Sequence, residues 1–338
     1  MRRRAGRSTN LALLAVLALG LLTGFLAYAI GSGWGWWLVA AHGVAGLGLV
    51  LLAPWKSVIV LRGMARRRPG VAASVVLTAL VAVVVLTGVM HSTGLGVSLG
   101  PVTSLQLHVG AALASIPLAL WHVVARPVRP RPTDLSRRNL LRAGAVVGGA
   151  AVGYAAVEGL VRVTSMPGAE RRFTGSYETG SLRPEALPVT QWLDDAVQEI
   201  DPNGWRLTVV TASASRELSY EELSSSHDRV RAVLDCTGGW FSEQEWEGVR
   251  LDRLILEPGE ARSVLVRSVT GYSRRLPVRD VPNLLLAVRL GGRPLPAGHG
   301  FPARLVAPGR RGFWWVKWVS RIETSMAPWW VQSPFPLT

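Results

Sequence analysis

The sequence predicts a multi-domain chain: an all-α transmembrane helix bundle followed by an α+β domain. Three observations carry this. First, 49% of the 338 residues are hydrophobic and the mean hydropathy is positive, yet the formal net charge is +15. A soluble domain of this length rarely combines the two. Second, Asp134 is the sole carboxylate before Glu158, so the two halves differ in their physics. Third, apolar segments of spanning length recur through the first half, while short β-type runs broken by Gly and Pro fill the second. A pI near 11 admits nucleic acid as a partner. That class is excluded because the arginines lie between hydrophobic segments rather than on one soluble face. A single cysteine, Cys236, excludes an internal disulfide, a zinc finger and a cysteine-ligated iron–sulfur cluster.

Leu11 to Ile30 is the first span. It is too long for a signal-peptide core and no clear small-residue cleavage site follows, so it is expected to be retained. Trp34 to Trp55 is the second, with tryptophans at both ends as in an interfacial aromatic belt. Val71 to Met90 and Val102 to Val124 are the third and fourth. Gly144 to Val161 is a fifth, rich in Gly and Ala and weakly hydrophobic. Arginines and lysines crowd three segments: Arg2 to Arg7, Lys56 to Arg68 and Arg126 to Arg142. The alternate segments Gly31 to Gly35 and Ser92 to Pro101 carry none. The positive-inside bias then places the N-terminus in the cytoplasm and everything after Val161 outside the cell membrane. Ser136-Arg137-Arg138-Asn139-Leu140-Leu141, ahead of the weakly hydrophobic fifth span, resembles a twin-arginine export signal. The alternative is that Arg137 and Arg138 are plain topology anchors.

Four of the six histidines, His42, His91, His108 and His122, fall in or at the edges of the spans. Ionisable groups at membrane depth are costly and are functional candidates by default. His42, near the outer start of span two, and His108, near the outer start of span four, are at matching depth and are the expected axial ligands of one haem b. His108 and His122 are fourteen residues apart, ~21 Å along a helix and nearly on one face. This resembles the paired histidines of b-type cytochrome helices. His122 has no histidine partner at its own depth, and His91 falls at the membrane surface. The competing expectation is that these histidines cap helices or bond between them. Small residues around them, Ala40-Ala41-His42-Gly43 and His108-Val109-Gly110-Ala111-Ala112, leave room for a porphyrin and equally for close helix packing.

After a polar linker, strands are expected over Trp205 to Thr211, Val230 to Cys236, Ser263 to Val269, Leu284 to Leu290, Ala303 to Val306 and Val316 to Ile322. Short helices are expected over Asp194 to Ile200 and Ser219 to Ser225. Two segments stand out. Leu234-Asp235-Cys236-Thr237-Gly238-Gly239-Trp240 is followed by Trp246-Glu247-Gly248-Val249-Arg250-Leu251. About sixty residues later comes His299-Gly300-Phe301-Pro302-Ala303-Arg304-Leu305-Val306-Ala307-Pro308-Gly309, then Gly312 and Val316-Lys317-Trp318.

Together these segments resemble the molybdopterin-binding domain of the sulfite oxidase family, over about Leu187 to Glu323. The resemblance implies a sulfite-oxidase-type fold and a molybdenum–molybdopterin cofactor. It implies that Cys236 is the catalytic thiolate ligand of molybdenum, with Gly238 and Gly239 letting backbone approach the cofactor. It implies that His299, Arg304 and Lys317 contact the pterin and its phosphate. Two departures stand against sulfite as substrate. Gly239 and Trp240 occupy the place of the arginine that follows the cysteine in sulfite oxidase. The family's C-terminal dimerisation domain has no counterpart after Trp329 and Trp330. Tyr272, Arg274 and Arg275 are candidate substrate-pocket residues, or else a solvated turn. The expected organisation is a four-helix cytochrome b-like domain (1–125), a cytoplasmic loop and fifth helix (126–168), a linker (169–186) and the molybdopterin-binding domain (187–338). The expected function is oxygen-atom transfer on a small-molecule substrate, with electrons passed through haem b to or from a quinone or other carrier in the lipid bilayer. The alternative is a haem b electron-transfer protein whose outer domain only docks a partner.

Overall fold

The computed structural model describes residues 6–65, 70–96, 102–191, 195–333 and 335. The chain divides into two compact units, Met1–Tyr28 with Trp34–Gly175, and Ala29–Gly33 with Ser176–Thr338. The formal charge divides with them. From Ser176 onward nineteen basic and nineteen acidic residues cancel, so the whole excess of +15 belongs to the preceding sequence.

The first unit is helical: α1 (Arg7–Ala29), α2 (Trp36–Ala65), α3 (Val71–Thr93), α4 (Ser104–Ala125) and α5 (Arg137–Val163). All five are long and apolar enough to cross a membrane. Each carries exposed aliphatic side chains, among them Leu22, Leu61, Leu86, Leu120 and Val152. So much exposed aliphatic surface on every helix is consistent with lipid contact. Two helices run well beyond their expected bounds. α2 continues past Trp55 and Lys56 to Ala65, and Lys56 Nζ donates to Asn10 Oδ1 at 3.4 Å. α5 begins at Arg137, seven residues before the apolar run, directly after Ser136, whose backbone is extended. Asp134 grips Arg7 with both oxygens, at 3.1 and 2.6 Å, and Glu158 on α5 pairs with Arg171. Of the basic residues that set the expected orientation, Arg2, Arg3, Arg4, Arg66, Arg67 and Arg68 lie outside the described residues.

The second unit is mixed α and β. Its elements are β1 (Tyr177–Glu178), β2 (Arg206–Val210), β3 (Ser215–Ser219), α6 (Tyr220–Ser224), β4 (Asp228–Asp235), β5 (Trp240–Arg250), α7 (Leu251–Leu254), β6 (Ser263–Ser268), β7 (Ser273–Pro277), β8 (Leu285–Leu290), β9 (Arg293–Pro294), β10 (Arg304–Val306) and β11 (Val319–Ser325). One sheet runs β1-β5-β8-β10, with β4 paired to β5 and β9 to β8; the other runs β3-β2-β11-β6-β7. The core includes Leu207, Trp246, Leu251, Val264, Leu285, Leu305 and Ile322, all fully buried. Each contributes roughly 1.5–3 kcal/mol by leaving water.

Several expectations need correction. Residues 195–200 are not helical, and Asp194 lies outside the described residues. Asp195 instead accepts from Thr270 Oγ1, and an Asx turn at Asp201, next to Pro202, closes the segment. The strand expected from Val316 starts three residues later, because Trp318 takes a left-handed φ of 50° as Lys317 turns inward. The polar stretch read as linker supplies β1, parallel to the start of β5. The eleven-residue β5 was not anticipated as a strand. Its inward positions include Ser242 and Gln244, buried but polar, so hydropathy does not alternate. Gln244 Nε2 is satisfied by Gly180 O at 2.7 Å and Ser242 Oγ at 2.9 Å.

Candidate functional site

Cys236 follows the last residue of β4, in the turn that leads into β5. Its N–H donates to Trp240 O at 2.9 Å and its carbonyl accepts from Gly239 N at 3.2 Å. Gly239 has φ 91°, which a side chain would resist. Gly238 N–H donates to the Cys236 sulfur at 3.3 Å, and a Cβ on Gly238 would sit 3.5 Å from that sulfur. Cys236 lines an open cleft together with Thr190, Trp240 and Trp318. Burial pushes the Cys236 thiol above its ordinary range; the Gly238 amide and the Arg311 cation oppose that shift.

Three basic side chains line the same cleft. His299 ends a short helical turn, and Gly300 follows with φ 108°. A Cβ on Gly300 would come within 3.2 Å of both Lys317 and Arg304, so its absence lets the three residues converge. Arg304 opens β10 at 3% exposure, donates Nη1–H to His299 O at 3.2 Å, and sits 5.3 Å from the Trp246 ring. Its Nε is buried without a hydrogen-bond partner. Lys317 Nζ is held by Thr190 O (2.9 Å), Gln191 Oε1 (3.2 Å) and Gly298 O (2.6 Å). Burial first, then mutual repulsion, pushes His299 down to about 3 and Lys317 to about 7; burial alone pushes Arg304 to about 10. A cluster of desolvated cations is a site built to receive an anion.

Arg311, absent from the expected set, anchors the thiol's backbone. Its Nη1 contacts Asp235 Oδ1 at 2.6 Å, and its Nη2 donates to the Cys236 carbonyl at 3.2 Å. Ser176 Oγ donates to the same Asp235 oxygen at 2.7 Å. Both charged side chains are 3% exposed. The available signal was the position of Arg311 just before Gly312, within the second motif.

Tyr272 lines the cleft, and its hydroxyl donates to Phe313 O. Burial raises its pKa, so it stays a neutral phenol. Arg274 and Arg275 follow it in sequence but do not line the cleft. Arg274 is buried with its guanidinium 4.1 Å from the Trp314 ring and Nη1 donating to Ser333 O at 3.1 Å. Arg275 turns to Ser263 Oγ at 3.1 Å.

In the helical unit the structure brings His42 (α2) and His108 (α4) together, with Nε2 to Nε2 at 3.4 Å and ring planes 84° apart. His42 Nδ1 lies 2.9 Å from Gly20 O, and His108 Nδ1 lies 2.8 Å from Val84 O. A carbonyl can only accept, so both Nδ1 atoms carry the proton and both Nε2 lone pairs face one another. His91 Nε2 donates to Gly175 O at 2.8 Å, and His122 Nδ1 meets Ser74 Oγ at 3.3 Å.

Among the described residues no three His, Cys, Asp or Glu side chains are grouped to hold a metal. A metal on Cys236 therefore needs a non-protein group for its other ligands. The cationic cleft and the unpartnered Arg304 Nε fit an anionic one. Comparison with known proteins names such a group. Residues 194–331 match the oxidoreductase molybdopterin binding domain family. Human mitochondrial sulfite oxidase is 28% identical over 165 residues, which cover 38% of this chain and 30% of that one. The NADPH nitrate reductase of Mycosarcoma maydis is 40% identical over 80 residues, 21% of this chain and 8% of that one. The crystal structure of the sulfane dehydrogenase SoxCD from Paracoccus pantotrophus superposes with a TM-score of 0.37 at 25% identity, covering 39% of this chain and 40% of that one. The chain spans about a third of the length of the sulfite oxidases it matches. Over residues 194–331 the C-terminal unit thus matches a molybdopterin-binding oxidoreductase domain and is similar to the corresponding part of the sulfite oxidases.

Proposed function

We propose that this chain is a membrane-bound molybdenum-cofactor oxidoreductase that transfers an oxygen atom to or from a small extracytoplasmic substrate, with electrons relayed through one haem b between His42 and His108. The observation that carries the reading is the convergence of the one thiol, Cys236, with His299, Arg304 and Lys317 in a single cleft. When bound, the cofactor supplies two-electron oxygen-atom-transfer chemistry at its metal. The residues of the chain do the rest. Cys236, kept protonated by burial, would hold the metal as its thiolate. Arg304 and Lys317 would hold the anionic part of the cofactor, and beside an anion Lys317 would keep its charge at neutral pH. His299 stays a neutral imidazole beside them. Trp240 and Tyr272 wall the substrate side. Among the described residues Arg304 is the one arginine that lines the cleft, which supports a neutral substrate over sulfite.

The haem reading rests on the opposed Nε2 lone pairs. A proton between them would make a buried imidazolium, which is costly at membrane depth. His42 and His108 would hold the haem iron through these facing Nε2 atoms, 3.4 Å apart. The distribution of arginines supports a cytoplasmic N-terminus and an extracytoplasmic C-terminal unit. Arg137 and Arg138, ahead of the weakly apolar part of α5, support twin-arginine export of that unit after it has folded around its cofactor. A quinone or another membrane carrier is the proposed electron partner.

The test is composition. The purified full-length chain should hold molybdenum, and its reduced-minus-oxidised spectrum should show low-spin haem b that His42→Ala or His108→Ala removes. Turnover by protein free of molybdenum would sink the catalytic reading. An unchanged haem spectrum in either histidine variant would sink the ligand pair.

A further inference from the structure

The two ligand-bearing helices are each preceded by a helix carrying the same tripeptide. Leu22-Thr23-Gly24 lies in α1 and Leu86-Thr87-Gly88 in α3. The structure gives both copies the same contacts. Thr23 Oγ1 donates to Leu19 O at 2.7 Å and Gly20 O at 3.3 Å. Thr87 Oγ1 donates to Val83 O at 2.6 Å and Val84 O at 3.2 Å. Both threonines are buried, at 5% and 6% exposure, in helices whose other faces are largely open. The carbonyls that receive the histidine protons, Gly20 O and Val84 O, each lie one helical turn before the glycine of the tripeptide. The glycine is what admits the ring. A Cβ on Gly24 would lie 2.9 Å from His42 Cε1 and 3.1 Å from its Nδ1. A Cβ on Gly88 would lie 3.1 Å from His108 Cε1 and 3.2 Å from its Nδ1.

We infer that the two Leu-Thr-Gly segments are the positioning elements of the membrane haem site, α1 supplying the cradle that orients His42 and α3 the one that orients His108. The inference rests on the haem reading above and adds a role for α1 and α3, which bear no ligand. Each cradle fixes three things. The carbonyl sets the tautomer, leaving Nε2 as the metal-binding atom. The glycine sets how closely the ring approaches the supporting helix. The threonine hydroxyl shares the carbonyl and ties it to the preceding turn. Together the cradles hold the two rings nearly perpendicular, at 84°.

Ring orientation is read directly in low-temperature EPR of the oxidised full-length chain in membranes. Perpendicular axial imidazoles give low-spin ferric haem one strongly anisotropic, large-gmax feature, whereas parallel ones give a resolved rhombic spectrum. If wild-type membranes show no haem b in the optical spectrum, the haem reading itself has failed. If haem is present, the large-gmax signal is expected, and a rhombic spectrum overturns the cradle inference. Gly24→Ala and Gly88→Ala should each weaken haem retention by about 10-fold or more, the usual cost of losing an outer-shell partner, or shift gmax in the haem that remains. Gly63→Ala, on α2 with no atom within 4 Å of the added carbon, should change neither. Haem content and gmax unchanged in both cradle variants would overturn the inference. Should those variants fail to accumulate, the shape of the wild-type spectrum decides alone.

Discussion

Replacing Arg311 with leucine should destabilise the C-terminal unit far more than an ordinary arginine substitution. Arg311 and Asp235 are each 3% exposed and lie 2.6 Å apart, with Ser176 as a further donor to the same Asp235 oxygen. Arg311→Leu leaves a buried carboxylate without its cation and takes one of its donors from the Cys236 carbonyl, which keeps Gly239 N. Breaking a buried pair from one side costs about 3–5 kcal/mol. At about 2–4 °C per kcal/mol for a unit of this size, Tm should fall by roughly 6–20 °C. The double variant Asp235→Leu/Arg311→Leu removes both charges. It should recover at least half of the loss, the remainder being hydrogen bonds of about 1 kcal/mol each. Thermal unfolding of the full-length protein, followed by tryptophan fluorescence, measures both variants, and molybdenum retention reports whether the Cys236 turn has loosened. If the two single losses simply add in the double variant, the pair is uncoupled and the reasoning is refuted.

Cys236→Ser should abolish turnover while leaving the unfolding transition in place, and full activity in the folded variant would rule out Cys236 as the metal ligand. The cofactor-free protein should gain stability as pH rises from about 7 to about 10.5. The unfolded Lys317 keeps its proton over that window, whereas the folded one, at about 7, has lost it. Lys317→Met should flatten this rise in a Tm-versus-pH series, and an unchanged slope would exclude Lys317 as its source. Replacing Arg137 and Arg138 with lysine should leave the first four spans in the membrane but strand the C-terminal unit inside. Digestion of that unit by protease added outside spheroplasts would then show that these arginines only anchor topology.

The five long apolar helices were legible because segments of spanning length announce themselves in composition alone, and their ends were not. α2 runs on through Lys56, and α5 starts among its arginines, because helix termini follow capping and packing rather than hydropathy. Cys236, His299, Arg304 and Lys317 were readable from two motifs, and the fold brings them to one cleft. Arg311 was not readable, because a buried arginine looks like any surface arginine until its aspartate is known. Arg274 shows the reverse: it lies two residues from Tyr272, but its long side chain is drawn onto the Trp314 ring and the Ser333 carbonyl instead of the cleft. β5 escaped notice because its buried face is built partly of Ser242 and Gln244. The Leu-Thr-Gly repeat was visible in the sequence, but its meaning depends on which carbonyl each histidine reaches.

The even balance of nineteen basic and nineteen acidic residues from Ser176 onward bears on how the C-terminal unit meets other molecules. A neutral body casts little long-range field, so a charged redox protein or ionic substrate approaches it without being drawn in or turned away. Encounter rates at its cleft should then stay nearly level as added salt shortens the screening length from about 30 Å to about 8 Å. Selection among solutes falls to the local field of the cationic cleft and to its aromatic walls, which act only over the last few ångströms.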